Sequence, residues 1–300
     1  MTPRIALATA AEFPDLDDDG LVLLDALSSL DITAEPIVWT DPGVGYSRYD
    51  LVVVRSTWDY HHQLNDFLAW AERVAATTPL ANEAQVLAWN THKTYLRELG
   101  ALGLPVVDTT WLDPGDTFTL PGAGEYVVKP AVSAGSRNTN RYVAGEHDDL
   151  ATDHVRSLLD AGRTVMVQPY LDAIDTAGET ALLYFGGEFS HAVRKAPLLE
   201  LGMPFVTAAF KAESMQPREA SPAELAVADR FLDAVASTGA GAARGDLLYA
   251  RVDLVPGPDG SPILLELELT EPSMYLVLDG AEGSVAADRF AAAIAARVRR

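Results

Sequence analysis

Apolar and polar positions along the chain change period from segment to segment. Arg4–Ala10 and Asp50–Arg55, the latter around Leu51, Val52, Val53 and Val54, are unbroken apolar runs, as in strands buried on both faces. Between and after them, Gly20–Leu30 and Asn65–Ala76 repeat their apolar residues at helical spacing, and Asp17, Asp18 and Asp19 suit a helix N-terminus. Glu35–Trp39 adds a further strand. Strands alternating with helices predict a parallel sheet, so residues 1–85 read as a small open α/β domain.

Glu83–Leu99 reads as helical, with Asn90 and Thr91 as a cap in its middle, and Gly100 and Gly103 end it. Pro105–Trp111 is an expected strand, Asp113–Gly124 a loop, Tyr126–Lys129 a strand running into Pro130, and Ala131–Asn140 has neither period. Arg141–Val143 reads as a returning strand, Asp148–Asp160 as a helix, and Val165–Gln168 as a strand stopped by Pro169. Further on, Thr176–Arg194 breaks at Gly186-Gly187, and Tyr249–Val255 with Ile263–Leu269 flanks Pro256–Gly260, two hairpin patterns that predict antiparallel sheet. Pro204–Pro217 reads as a flexible polar stretch, Ser221–Thr238 as a helix capped by Ser221 with Pro222 at its first position, and Ser284–Arg299 as a terminal helix. The division expected is 1–85, 86–167 and 168–300.

Composition narrows the function classes. The 300 residues are 48% hydrophobic, enough for a sizeable core. A net charge of −21 repels phosphate backbones and anionic bilayers, which speaks against nucleic-acid and membrane partners and leaves room for a small ligand in a locally basic cleft. The absence of cysteine excludes disulfides and thiolate chemistry. No signal-peptide pattern and no run of ~18 apolar residues is seen, so a soluble cytoplasmic protein is expected.

Three clusters carry candidate chemistry. Asp253 lies on one arm of the last hairpin; Glu266 and Glu268, two apart, share a face of the other. Carboxylates among Val252, Leu254, Leu265, Leu267 and Leu269 are costly unless paired or metal-bound, and hard oxygens at this density suit Mg²⁺ or Mn²⁺. The same alternation also fits the solvent face of an amphipathic strand. Lys129 ends a buried strand and is followed by Ser133, Gly135, Ser136 and Arg137, small and polar residues that let a backbone approach phosphate; a strand-end lysine is equally compatible with a plain surface position. Gln168-Pro169-Tyr170-Leu171 leaves a strand in an extended turn that exposes backbone to a flat heterocycle, or simply ends the strand.

The order of these pieces, with Lys93 before them and Glu179, Arg194 and Lys195 between, resembles the ATP-grasp superfamily of carboxylate ligases over roughly residues 85–280. The resemblance implies an ATP-grasp fold, α/β (α+β), in which an N-terminal open α/β domain precedes central and C-terminal subdomains clasping ATP. It implies that Lys93 and Lys129 contact phosphates, that the Ser133–Arg137 loop closes over them, and that Gln168, Tyr170 and Leu171 hold adenine. Glu179 would meet ribose or a neighbouring lysine. Arg194 and Lys195 would stand near the transferred phosphoryl group, and Asp253, Glu266 and Glu268 would hold Mg²⁺. Glu268 departs from the Asn usual in the family, which leaves the metal count open. Arg55-Ser56-Thr57-Trp58-Asp59-Tyr60, at the carboxyl end of a parallel strand where open α/β domains bind ligands, together with Glu271-Pro272-Ser273, resembles the small family of O-ureido-serine cyclo-ligases. Arg55, Ser56, Thr57, Trp58, Tyr60 and Ser273 are thereby the candidate contacts to a small amino-acid-like substrate. The expected activity is ATP-dependent conversion of a carboxylate to an acyl phosphate that nitrogen attacks, with cyclisation of O-ureido-D-serine to D-cycloserine preferred. An intermolecular dipeptide ligase and a nucleotide-binding regulatory module without turnover are the alternatives.

Overall fold

Three four- or five-stranded sheets meet around one cleft in a computed structural model that describes residues 2–199, 201, 214–279 and 284–299. The first sheet is wholly parallel: β1 (Arg4–Thr9), β2 (Thr33–Val38), β3 (Leu51–Val54) and β4 (Leu80–Ala81) lie in the order β2-β1-β3-β4. Strand alternation sends Ile5, Leu7, Leu51 and Val53 to one face and Ala6, Ala8, Val52 and Val54 to the other. Helix α1 (Asp18–Ser29), capped by Asp17 on the Gly20 N–H, covers the first face together with α8 (Ser284–Val298) from the far end of the chain. Helix α2 (Leu64–Ala75) covers the second with Phe67, Trp70 and Val74. The two-residue β4 was not visible as a period because it is shorter than one alternation.

The expected Glu83–Leu99 helix is two helices, α3 (Ala84–Asn90) and α4 (Tyr95–Ala101). The break falls where the Lys93 N–H leaves the helix to bond the Ala131 carbonyl at 2.8 Å. Pro105–Trp111 is a strand only from Thr110, where β5 (Thr110–Leu112) begins. Its first half crosses to the third sheet, exchanging bonds with both backbone groups of Leu264 through the Pro105 carbonyl and the Val107 N–H.

The second sheet, β5 with β6 (Glu125–Pro130), β7 (Asn140–Val143) and β8 (Val165–Pro169), is antiparallel in the order β5-β8-β6-β7, with α5 (Asp148–Asp160) packed on it. A short helix α6 (Ala173–Ala177) follows and takes up Thr176 and Ala177, where the hairpin pattern was expected to begin. The third sheet is antiparallel: β9 (Glu179–Phe185), β10 (Glu188–Lys195), β11 (Met215–Arg218), β12 (Tyr249–Pro256) and β13 (Pro262–Glu268), in the order β11-β10-β9-β12-β13. Of the Pro204–Pro217 stretch, residues 204–213 lie outside the described residues, and Met215–Pro217 belong to the edge strand β11. Helix α7 (Pro222–Ala234), with the Ser221–Glu224 capping box and Pro222 at its start, buries Phe231 and Leu232 against Leu182, Val252 and Leu254, worth about 1.5–3 kcal/mol per large side chain. Among the described residues no helix is long and apolar enough to cross a membrane.

Two buried asparagines fasten the segment after the first sheet to the third. Asn82 accepts from the Leu248 N–H at 2.7 Å and donates to the Tyr249 and Leu269 carbonyls at 3.0 and 2.8 Å. Asn90 accepts from the Leu269 N–H at 2.7 Å and donates to the Leu267 carbonyl at 2.8 Å. These bonds pin the end of β13 and the chain beyond it, which carry the acids of the cleft.

Candidate active site

A cavity of about 600 Å³ opens between the three sheets, and its wall draws on all of them. Most of the expected residues reach it: Trp58, Tyr60, Lys93, Lys129, Ser133, Gly135, Ser136, Gln168, Tyr170, Leu171, Glu179, Lys195, Glu266, Glu268 and Ser273. Glu271, until now only part of the Glu271-Pro272-Ser273 resemblance, lines it too, as do Arg251 and Tyr275, which sequence reasoning passed over.

The acidic face comes from the β12–β13 pair. Arg251 stands opposite Glu268 and Asp253 opposite Glu266. A bulge follows, in which Leu265 is left without a partner before Leu254 meets Leu264. Leu264 and Leu267 therefore point into the core while Leu265, Glu266 and Glu268 face the cavity, so the Leu-Glu-Leu-Glu pattern marks a cleft wall and not the outer surface.

Cations thread through these acids. Lys93 Nζ lies 2.9 Å from Glu266 Oε1 and donates to the Ser133 carbonyl at 3.1 Å, which ties the acid to the base of the serine–glycine loop. Lys195 Nζ bridges Glu179 and Asp253 at 2.9 and 3.2 Å. The Arg251 guanidinium donates to both Asp253 oxygens, at 2.9 and 3.0 Å, to Glu268, and to the Ser273 carbonyl at 3.2 Å. Lys129 makes no ion pair among the described residues; burial pulls its ammonium below the usual lysine range, against the pull of Glu266. A buried cation facing a cavity without a counter-ion is a site for an anion.

Burial opposes ionisation of Glu266, but Lys93 and Lys129 outweigh it and hold that carboxyl below its ordinary value. Glu268 is pushed up to about 7, first by burial and then by Glu266 and Asp253, against the pull of Arg251. Glu271 is pushed up to about 8 by burial and by Glu268. Full ionisation of Glu268 and Glu271 is thus disfavoured until a further cation enters the cleft. Glu266 and Glu268 offer hard oxygens that fit a divalent cation whose remaining ligands are phosphate oxygens and water. Asp253 does not fit that role: it is 1% exposed, and both oxygens are engaged by Arg251 and Lys195. It orients the two cations instead. Among the described residues no three His, Cys, Asp or Glu side chains form a preformed metal cage.

Two more expectations are corrected. Arg194 does not line the cavity. Alternation along β10 turns it away from Lys195, and it caps the Ala177 and Thr176 carbonyls at the end of α6 at 2.6 and 3.0 Å. Arg55, Ser56 and Thr57 are fully buried. Arg55 donates to the Pro272 carbonyl at 3.3 Å and sits over the Phe290 ring, and Ser56 bonds Thr9. Only at Trp58 does the chain emerge into the cavity. Glu179 meets a lysine, one of its two expected partners.

Gln168 gives its amide N–H to Thr109 Oγ1 at 2.8 Å, which leaves its carbonyl oxygen to accept from a ligand. Tyr170 is held by Asp175, at 2.6 Å from its hydroxyl, and by the Arg141 guanidinium 3.4 Å over its ring. The serine–glycine loop turns through positive φ at Gly135, Ser136 and Asn138. Its tip latches onto His61 and His62, beyond β3. His61 Nδ1 lies 2.9 Å from the Trp58 carbonyl and must donate there, so in the neutral ring Nε2 accepts, from Arg137 NH1 at 3.3 Å; the same NH1 lies 2.9 Å from His62 Nε2. Burial, then the His62 and Arg137 charges, lower His61 to about 4. A depressed histidine stabilises the folded arrangement above the ordinary imidazole value near 6.5 and ceases to do so as pH falls toward about 4. Amide protection at Gly135–Asn138, measured by hydrogen exchange relative to core strands, is expected to fall across that window by up to about tenfold per pH unit. Constant relative protection would show that the latch does not hold the loop.

Residues 5–82 match the family described as D-cycloserine synthetase DcsG, N-terminal domain. The cycloserine biosynthesis protein DcsG of Streptomyces lavendulae is 38% identical over 306 residues, covering 98% of this chain and 99% of its own. The crystal structure of D-cycloserine synthetase DcsG matches with a TM-score of 0.84 at 36% identity, over 98% of this chain and 99% of that one. A D-alanine–D-alanine ligase from Bacillus anthracis, crystallised with ATP, shares the fold with a TM-score of 0.67 at 14% identity, over 100% of this chain and 98% of its own.

Proposed function

The chain belongs to the DcsG family of ATP-grasp ligases, and from that premise we propose that it uses ATP to close O-ureido-D-serine into D-cycloserine in the cytoplasm. The observation that carries this reading is the cavity itself: Lys129, without an ion pair among the described residues, and the Lys93–Glu266 pair stand on one part of the wall, and Trp58, Tyr60 and Ser273 on another. The nucleotide lies between the units of residues 86–167 and 168–300, and residues 1–85 complete the wall for the amino acid.

Lys93 and Lys129 hold the phosphates, and the 133–137 loop closes over them, excluding water. Gln168, Tyr170 and Leu171 receive the adenine. Glu266 and Glu268 are the residues that would hold Mg²⁺, or Mn²⁺ in its place; bound there, the metal neutralises phosphate charge. The substrate carboxylate takes the γ-phosphoryl group as an acyl phosphate. The nitrogen bonded to the substrate's own oxygen then attacks that carbon, a C–N bond forming as the C–O bond to phosphate breaks. The atom balance between substrate and product requires the carbamoyl group to leave, with hydrolysis, as carbon dioxide and ammonia. Arg251 and Lys195 supply positive charge beside the developing oxyanion, and positioning with charge neutralisation provides most of the acceleration.

Purified protein given ATP, Mg²⁺ and O-ureido-D-serine is expected to release ADP and phosphate and to yield a product with the mass of D-cycloserine. A dipeptide mass with paired amino acids would identify an intermolecular ligase. No ADP from any small amino acid would leave a nucleotide-binding module.

A further inference from the structure

The segment after β13 is held with unusual completeness by side chains from elsewhere in the fold. The Glu271 carbonyl accepts from Trp58 Nε1 at 3.0 Å, that of Pro272 from Arg55 at 3.3 Å, and that of Ser273 from Arg251 at 3.2 Å. The Met274 carbonyl meets His191 Nε2 at 3.0 Å, and the Met274 and Val277 N–H groups donate to the two Asp19 oxygens at 3.0 and 3.3 Å. Five buried or half-buried side chains therefore fix one stretch of backbone, and with it the direction of the Glu271 side chain.

That side chain lines the cavity at 9% exposure. Glu179, Glu266 and Glu268, the other acids of the cavity wall, each have a lysine or arginine partner; among the described residues Glu271 has none. Its neighbours are Tyr60, whose hydroxyl feels the Glu271 charge, and the Trp58 indole, which donates to the Glu271 carbonyl and whose edge-to-face contact with Phe13 at 5.0 Å extends an aromatic wall. Glu268 is its chief charged neighbour, so the carboxyl stands next to the Glu266–Glu268 face without being part of its ion-pair chain. A buried carboxyl with no cation partner, beside aromatic rings, gains its negative charge most readily when a ligand brings a cation to it.

We propose that Glu271, braced by Tyr60 and Trp58, is the specificity residue that receives the α-ammonium of the amino-acid substrate. This rests on the function proposed above and deepens it. An α-amino acid carries its ammonium one carbon from the carboxylate that reacts, so a carboxylate beside the Glu266–Glu268 face holds one group while the other meets the phosphate. The site thereby selects α-amino acids over plain carboxylic acids, which keeps ATP from being spent on the latter.

The test compares O-ureido-D-serine with its des-amino analogue, 3-(ureidooxy)propanoate, in wild type, Glu271→Gln and Tyr60→Phe. Binding is measured by calorimetry on enzyme loaded with AMPPNP and Mg²⁺, and turnover by ADP release. Wild type is expected to prefer the amino form by about 100-fold or more, in line with sites built around one polar group of the substrate. Glu271→Gln is expected to lose most of that preference through a raised KM, with the AMPPNP Kd and its Mg²⁺ dependence unchanged. Tyr60→Phe should shift the preference in the same direction by a smaller factor, and it carries the test should Glu271→Gln fail to fold. Wild-type preference retained in both variants would overturn the assignment, as would a loss in Glu271→Gln that is equal for both ligands or follows the Mg²⁺ dependence of AMPPNP binding. A wild type that neither binds nor turns over either compound would bring down the proposed substrate, and this inference with it.

Discussion

Glu266→Gln is expected to lower turnover by about three orders of magnitude, ~4 kcal/mol in the activation barrier, while the protein stays folded. The carboxylate occupies the centre of the cleft's charge pattern: it faces the cavity on β13, pairs with Lys93 at 2.9 Å, and through Lys93 reaches the Ser133 carbonyl at the base of the serine–glycine loop. The amide keeps the side chain's volume and one acceptor oxygen but removes its charge. Two consequences separate the assigned role from a purely structural one. The Mg²⁺ dependence of nucleotide binding should weaken, because a neutral amide is a poorer ligand for a hard cation. Nucleotide binding without divalent metal should not weaken, because Lys93 is freed from its anionic partner. ADP release and nucleotide titrations with and without Mg²⁺ read both. Turnover above about a tenth of wild type would remove Glu266 from the catalytic centre.

The site was legible in the sequence where side-chain chemistry and strand period coincide. Glu266 and Glu268, two apart among leucines, announce a shared face, and Lys129 announces itself by ending an apolar strand at Pro130. What the period cannot convey is which of two faces meets the cleft. Arg194 and Lys195 are adjacent, so one must turn away; the register of β10 against β9 decides that Lys195 meets Glu179 and Asp253. Arg251 shares a face with Asp253 by the same spacing that drew attention to the glutamates. It was hidden because the acid was read as a metal ligand, when its buried oxygens are satisfied by that arginine.

Long-range covering was the other blind spot. Arg55-Ser56-Thr57 looks like a substrate-binding strand end, and its chain direction is right, but all three residues are buried, and the arginine donates to a carbonyl 217 positions later. Nothing local in the sequence carries that information. The same holds for Pro105–Val107, which leave their own sheet to pair with Leu264. The three sheets and their helices were recoverable because each depends on its own period and caps; their mutual arrangement depends on single side chains such as Asn82 and Asn90, whose partners are distant in the chain.

Those single side chains carry the largest expected effect on stability. Asn82→Ala should destabilise the protein by about 3–5 kcal/mol. Asn82 is 1% exposed and satisfies three backbone groups at once, the Leu248 N–H and the Tyr249 and Leu269 carbonyls. Alanine leaves all three buried without that partner, and each orphaned group costs about 1–3 kcal/mol, less than additively because they share one small volume. Lost packing adds little, since the side chain is short. The consequence for the site follows from position: Leu269 is the residue directly after β13, so freeing its carbonyl loosens the strand end that aims Glu268 and the segment that aims Glu271. Denaturant unfolding should show the loss as a lower midpoint, and the substrate KM should rise even at temperatures where the variant is fully folded. Asn82→Asp tests the cause: it keeps the acceptor for the Leu248 N–H but cannot donate to either carbonyl, and it places a charge where none is compensated, so it should be no more stable than the alanine variant. An alanine variant within about 1 kcal/mol of wild type would mean that water can enter and replace the three bonds.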